Sequence, residues 1–341
     1  MLKDFSPYNL IKEAVSSLKP NEKIVILGRF GIDSNRKTLS SIGRELKLSR
    51  ERIRQIEKEG LRRVAKSVFE SQPELVVSIV KKFEELGGVT NHNMIGEKFL
   101  NPTKATDKNE FNSLHLIFVI MPELAKIEKT KDLEAGWILT SIPKDAAVKI
   151  INDWVLHLEK TKRPEKLEIL VEAHPEHKSH HFTFLSELPH VSKKLIKTDD
   201  GLVGLATWPE VNPRNVRDKI YYALKKSGKP MHFDEIAHKI SDEKFDSKRV
   251  VKATVHNELI ADERFVLIGR GIYALKEWGY SQGTVADIIK SVLKDKRQGL
   301  TVSEIVEYVL KQRVVKKNTI LINLQTKPFF KKIGNRYALA Q

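Results

Sequence analysis

Thr38-Leu-Ser-Ser-Ile-Gly-Arg-Glu-Leu-Lys-Leu-Ser-Arg-Glu-Arg-Ile-Arg-Gln-Ile-Glu57 is the stretch whose reading decides the fold. Leu39, Ile42 and Leu46 recur at helical spacing behind Thr38, whose side-chain oxygen suits a helix N-cap. Ser49 can cap a second helix, whose apolar residues run on as Ile53, Ile56, Leu61, Val64 and Val68. Gly43 falls on the inner face, where two crossing helices need a residue with no side chain in the way. Two capped helices joined by a short turn make a helix-turn-helix, whose second helix enters the major groove of a duplex with its first turn against the base edges.

The other side of that second helix carries Arg50, Glu51, Arg52, Arg54, Gln55 and Lys58, and Arg62 extends the set by a turn. Arg pairs bidentately with guanine O6 and N7, Gln with adenine N6 and N7, Glu accepts from cytosine N4, and surplus cations neutralise phosphates. A charged helix face is more often simply solvated. Here caps, small residue, periodicity and base-reading side chains agree at once, which a solvated face does not require.

Leu18-Lys-Pro-Asn-Glu through Arg29-Phe-Gly-Ile32, then Thr38 to Glu57 and Leu61-Arg-Arg63, resembles region 4 of bacterial primary-type sigma factors over about a fifth of the chain. The resemblance implies that this domain reads a minus-35-like promoter element and docks on the β flap of core RNA polymerase. It also implies base contacts for Arg50, Glu51 and Gln55, and phosphate or base contacts for Arg52, Arg54 and Lys58. Lys19 stands where the family usually has a Ser or Thr cap before Pro20. With some 17 residues ahead of the domain, the regions that melt promoters are expected to be missing.

The bulk numbers fit a DNA-binding chain of several small domains. Of 341 residues 40% are hydrophobic and none is cysteine, so a globular protein without disulfides or thiolate metal sites is expected, in a cytoplasmic, nucleoid-associated setting. No apolar run approaches the ~18 residues of a membrane span, so no membrane partner is expected. The net charge of +16 attracts polyanions, and it is unevenly spread: +7 over residues 1–70, +8 over 283–341 and +1 between.

Behind the first domain an ending recurs at intervals of about 65 to 70 residues: Glu134-Ala-Gly-Trp-Ile-Leu139, Asp199-Asp-Gly-Leu-Val-Gly-Leu205, Gly269-Arg-Gly-Ile-Tyr-Ala-Leu275 and Gly334-Asn-Arg-Tyr-Ala-Leu339. Each reads as a strand after a tight turn, preceded by helical periodicity. Three helices and a hairpin make a winged helix. Asn215 to Tyr280, through Val216-Arg-Asp-Lys-Ile, Met231-His-Phe-Asp-Glu-Ile-Ala and Gly271-Ile-Tyr-Ala-Leu-Lys-Glu-Trp278, resembles the HARE-type helix-turn-helix, found in the δ subunit of bacterial RNA polymerase. The expected fold class is mainly α with small β wings. The expected domains are 1–72 (sigma-region-4-like), 73–141 and 142–210 (winged-helix-like), 211–281 (HARE-type) and 282–341 (a C-terminal winged-helix-like copy). Asn101 to Glu110 and Glu159 to Glu165 read as polar loops, Pro209 to Pro213 and Gly279 to Gly283 as linkers.

Charge sorts these copies. Residues 71–210 net about −3 and suit protein contact or spacing better than duplex binding. The last copy offers Arg313, Lys316, Lys317 and Asn318 at the start of a third helix as a second DNA contact, and Arg270 marks the tip of the preceding wing. A solubilising basic surface is the rival reading for that cluster. His174-Pro-Glu-His177-Lys-Ser-His180-His181 has metal-like spacing, but with no regular element predicted there it reads as an exposed loop, and no metal or cofactor is expected. Trp137, Tyr273 and Tyr337 recur at one point of the repeat and read as hairpin core. No acid/base pair, P-loop or dinucleotide fingerprint is present, so neither an enzyme nor a small-molecule substrate is expected. The reading is a transcription regulator that binds double-stranded DNA and contacts RNA polymerase. Its alternatives are a δ-like polymerase-associated protein and a sequence-tolerant architectural DNA binder.

Overall fold

The computed structural model describes residues 5–243, 245, 250–294, 296 and 298–340. The chain divides into two compact units, Met1–Ala206 and Thr207–Gln341, and is mainly helical with small antiparallel sheets.

The first unit opens with α1 (Pro7–Ser16), α2 (Pro20–Phe30), α3 (Leu39–Leu46), α4 (Arg50–Ser71) and α5 (Pro73–Glu85). After them come β1 (Val89–Asn91), α6 (Ile95–Phe99), α7 (Pro102–Ala105), α8 (Lys108–Ile120), β2 (Leu124–Ile127) and β3 (Gly136–Leu139). The unit closes with α9 (Lys144–Thr161), β4 (Glu165–Lys166), α10 (Leu167–Ala173), α11 (Phe182–Val191), β5 (Leu195–Lys197) and β6 (Leu202–Leu205).

One apolar core runs from Leu10, Ile11 and Ile26 through Val64 and Val68 to Phe83, Ile117, Phe118 and Trp137. It therefore passes uninterrupted across residue 72, where a domain boundary was expected. Polar bonds tie the same elements together. Glu110 on α8 accepts from Ser6 Oγ at 2.7 Å and from the Tyr8 amide at 2.9 Å, and Asn112 donates to the Gly31 carbonyl at 2.9 Å.

The second unit holds α12 (Val216–Ser227), β7 (Met231–His232), α13 (Phe233–Asp242), α14 (Lys252–Ala261), β8 (Phe265–Leu267) and β9 (Ile272–Leu275). Next are α15 (Val285–Lys294), β10 (Leu300–Thr301), α16 (Val302–Gln312), α17 (Lys317–Thr326), β11 (Phe330–Ile333) and β12 (Arg336–Leu339). Separate apolar clusters underlie them, one around Ile220, Leu224, Ile236 and Leu259, another around Ile289, Ile305, Val309 and Ile320.

All four sheets share one antiparallel order, first strand, third strand, second strand. Trp137, Val203, Tyr273 and Tyr337 occupy the same register position in the four central strands, each paired on both sides and buried. The aromatic positions therefore fill the core behind each hairpin, as the recurring ending suggests, with Val203 taking the place in the second sheet.

Two segments read as loops are helical. Asn101 accepts from the Lys104 amide at 2.9 Å ahead of Pro102, and Asp107 accepts from the Asn109 amide at 2.7 Å, so the polar residues between 101 and 110 are the N-caps of α7 and α8. The stretch from Glu159 continues α9 to Thr161, and Lys162 ends that helix in the left-handed conformation at φ 54°. His174 to His181 is likewise no exposed loop. Pro175–Ser179 forms a 3-10 turn, and His177 is only 3% exposed.

Candidate nucleic-acid interface

Three local devices fix the angle between α3 and α4. Thr38 Oγ1 accepts from the Ser41 amide and Ser49 Oγ from the Arg52 amide, both at 3.1 Å, so each helix begins where its cap stands. Lys47 takes a left-handed conformation at φ 56° and the Leu48 amide bonds to the Gly43 carbonyl at 2.9 Å. A Cβ on Gly43 would sit 2.7 Å from the Leu48 carbonyl oxygen. Behind this turn Val25, Ile42 and Ile53 form a small dry core, with Leu39, Leu46, Leu48 and Ile56 packed around it.

Helix α4 is held on α2 along its length. Gly60 lets the helices approach, since a Cβ there would meet Ile26 Cγ1 at 3.0 Å. Arg29 Nε donates to Glu57 Oε1 at 2.8 Å, and Arg63 pairs with the buried Glu22 at 3.5 Å. Glu22 also accepts from the Lys19 amide at 3.1 Å. That bond supplies half of a capping box where Lys19, an ammonium with no lone pair, cannot accept in place of a Ser or Thr.

With one stripe buried, the opposite face of α4 is presented to solvent. Arg50, Glu51, Arg52, Arg54, Gln55, Lys58 and Arg62 are all exposed. Several pair with one another: Arg54 forks onto Glu51 with bonds of 2.6 to 3.0 Å, Arg52 Nη1 donates to Gln55 Oε1 at 3.0 Å, and Arg62 meets Glu59 at 2.9 Å. The bonds from Arg54, helped by the Arg50 charge, hold the Glu51 carboxyl below its ordinary range. Exposed pairs of this kind are worth about 0–1 kcal/mol, so Arg54 can leave Glu51 for a phosphate at little cost. On α3 and its turn, Arg44 and Lys47 are also exposed, a pair of cations that reading the second helix alone leaves out.

The second basic cluster is divided by the structure. Arg313 is not part of an exposed face: it is 8% exposed, and its Nη1 donates to the Leu267 carbonyl at 2.6 Å. The adjacent Val314 amide bonds to the Ile268 carbonyl at 2.9 Å. Arg313 is therefore a strut against the β8–β9 hairpin, and burial lowers its pKa from the ordinary arginine value. Lys316, Lys317 and Asn318 do lie exposed at the first turn of α17, and Arg270 is exposed in the hairpin turn. Lys331 and Lys332 on β11 are exposed as well, a basic wing that the sequence reading passed over because attention fell on the helix.

The N-terminal geometry and the hairpins agree with two matches to protein families. Residues 14–66 match the model of sigma-70 region 4, and residues 216–278 match HARE-HTH, the helix-turn-helix domain of ASXL and restriction endonuclease type. The chain is 47% identical over 60 residues to RNA polymerase sigma factor RpoD of Neisseria gonorrhoeae, covering 17% of this chain and 9% of that protein. It is 39% identical over 66 residues to RNA polymerase sigma factor SigA of Clostridium acetobutylicum, covering 18% of each. The chain thus spans less than a fifth of the length of either relative. Among the described residues no helix is long and apolar enough to cross a membrane. Residues 14–66 are a sigma-70 region 4 helix-turn-helix and residues 216–278 a HARE-type helix-turn-helix, two domains of DNA-binding type carried on one chain.

Proposed function

We propose that this protein is a transcription regulator that reads promoter-type, minus-35-like duplex through α4. The observation that carries the reading is the split of α4 into two faces. Ile53, Gly60, Val64 and Val68 are buried, while all seven side chains suited to bases and phosphates stand in solvent. The base readers are Arg50, Glu51 and Gln55, with Arg52, Arg54, Lys58 and Arg62 on the backbone, and Lys316, Lys317 and Lys332 supply a second cationic face.

Contact with RNA polymerase belongs to the same proposal, since both relatives are named RNA polymerase sigma factors. The β flap is the expected docking point. Residues 73–341 are read as four winged-helix modules that extend the footprint or the polymerase contact, supported by the single strand order of their sheets. Such a protein works at the nucleoid and performs no catalysis.

The test is fluorescence anisotropy against minus-35-like and scrambled duplexes at fixed salt. Arg50→Ala and Gln55→Ala should each cost ~1–3 kcal/mol on the preferred duplex and little on the scrambled one. If both variants keep the parent's preference, the sequence-reading role is wrong. Capture of core polymerase by the variants in the absence of DNA would then favour a δ-like role.

A further inference from the structure

Far along the chain from α4, the first unit gathers imidazoles and carboxylates that its DNA-facing side does not use. Asp153 and His157 come from α9, Glu165 from β4, and His174, Glu176 and His177 from the end of α10 and the 3-10 turn that follows. The rings of His174 and His177 stack with centroids 4.9 Å apart and planes 13° from parallel. Glu176 Oε1 lies 3.4 Å from His174 Nδ1 and 3.9 Å from His177 Nε2, and Asp153 Oδ2 lies 3.1 Å from the same His177 nitrogen.

Two features of this cluster are unexplained by packing. His174 Nε2 and His177 Nδ1 are buried with no hydrogen-bond partner, although a buried polar atom left unpaired ordinarily costs about 1–3 kcal/mol. Two imidazoles are also held face to face beside two carboxylates, with a third carboxylate, the buried Glu165, 3.0 Å from His157. A cation between the rings and the carboxylates gives this arrangement a purpose.

We propose that His174, Glu176, His177 and Asp153 form a binding site for a divalent transition-metal ion of the zinc class. One donor atom each from His174, Glu176 and His177 lies within 4.8 Å of the others. A four-coordinate ion with bonds of about 2.0–2.2 Å needs its donors ~3.3–3.6 Å apart, so the side chains close by about 1 Å at most. Two imidazole nitrogens and two carboxylate oxygens, with no thiolate, make a borderline donor set that suits zinc or cobalt better than calcium or magnesium. The ion would fasten the turn before α11 to the middle of α9, and its role is structural.

The test uses the full-length protein, stripped with chelator, and Co2+ as a probe whose visible spectrum reports four-coordinate binding. The expected result is one equivalent of Co2+ bound with intense visible bands, displaced by Zn2+. Affinity should fall by about tenfold or more in His174→Ala and in Glu176→Gln. Both side chains are at least partly exposed, so these variants should fold, which circular dichroism verifies, whereas His177→Ala empties a buried position. His181→Ala, at an exposed histidine outside the cluster, should bind as the parent does. A wild-type protein without these bands at stoichiometric Co2+ overturns the proposal, and so does a folded His174→Ala variant that keeps them.

Discussion

The α-carbon of Gly43 lies so close to the Leu48 carbonyl oxygen that a methyl group placed on it would stand 2.7 Å from that atom. The obstacle is backbone, not a side chain that can turn away. Gly43→Ala gains roughly 1 kcal/mol of helix propensity and loses about 1–3 kcal/mol to forced repacking, so the loss should win. Amide exchange in α3 and the first turns of α4 should quicken. Ser40→Ala, at an exposed site on the same helix, supplies the propensity gain alone and should slow exchange or leave it unchanged.

Arg29 and Glu57 make a different claim on the same module. Their ion pair is 2.8 Å long, with side chains only 23% and 17% exposed, and it joins the end of α2 to the middle of α4. Arg29 also donates to the Lys37 carbonyl at 3.0 Å, ahead of the α3 cap. Arg29→Ala strands a half-buried carboxylate and should cost about 1–3 kcal/mol. The double variant Arg29→Ala/Glu57→Ala should recover part of that loss. A double-mutant cycle read by urea unfolding measures the coupling, and strict additivity would show that the pair does not hold α4.

What was legible in the sequence was local. Thr38, Gly43 and Ser49 announce their roles because a cap and a close approach each depend on a few neighbouring residues. The first strand of each sheet was not legible: β4, β7 and β10 are two residues long, too short to show a period. Asn101 and Asp107 misled because the residues that favour turns also cap helices. The Arg29–Glu57 pair spans 28 positions in sequence, and Arg313 finds its carbonyl 46 positions away, so composition sees only their charge. His174 and His177 show metal-like spacing on paper, but their stacking depends on how the 3-10 turn lies against α9.

Acid should loosen the core of the first unit through His115 on α8. Its ring packs 4.8 Å from His92, 5.4 Å from Trp137 and 5.9 Å from Phe30, and its Nδ1 is buried without a partner. Burial, reinforced by His92, Arg36 and Lys126, pushes its pKa down to about 3. The folded protein therefore keeps the ring neutral, while the unfolded chain takes up a proton below about pH 6.5. The contribution is complete above that pH and is lost as pH falls toward 3, with a slope approaching about 1.4 kcal/mol per pH unit. Burial lowers the His92 pKa in the same direction, so the two add. Urea unfolding between pH 6.5 and 5, where few carboxylates titrate, should show the slope and show less of it in His115→Phe. An unchanged slope in that variant would remove His115 as the cause.

Arg313 and the neighbouring Lys316 and Lys317 should separate cleanly by experiment, although the sequence presents them as one basic run. Arg313 is buried and bonded to a carbonyl of the β8–β9 hairpin, so Arg313→Ala should destabilise the second unit by about 1–3 kcal/mol. Lys316 and Lys317 are exposed at the N-terminal end of α17, where the helix dipole disfavours cations. Removing both should leave stability equal or slightly raised. If they meet phosphates, the double variant Lys316→Ala/Lys317→Ala should weaken duplex binding alike on every sequence. The slope of log affinity against log salt should then fall by about 1.8, roughly 0.9 for each lost contact. A slope identical to the parent's would confine DNA binding to α3 and α4 and leave the C-terminal charge as a solubilising surface.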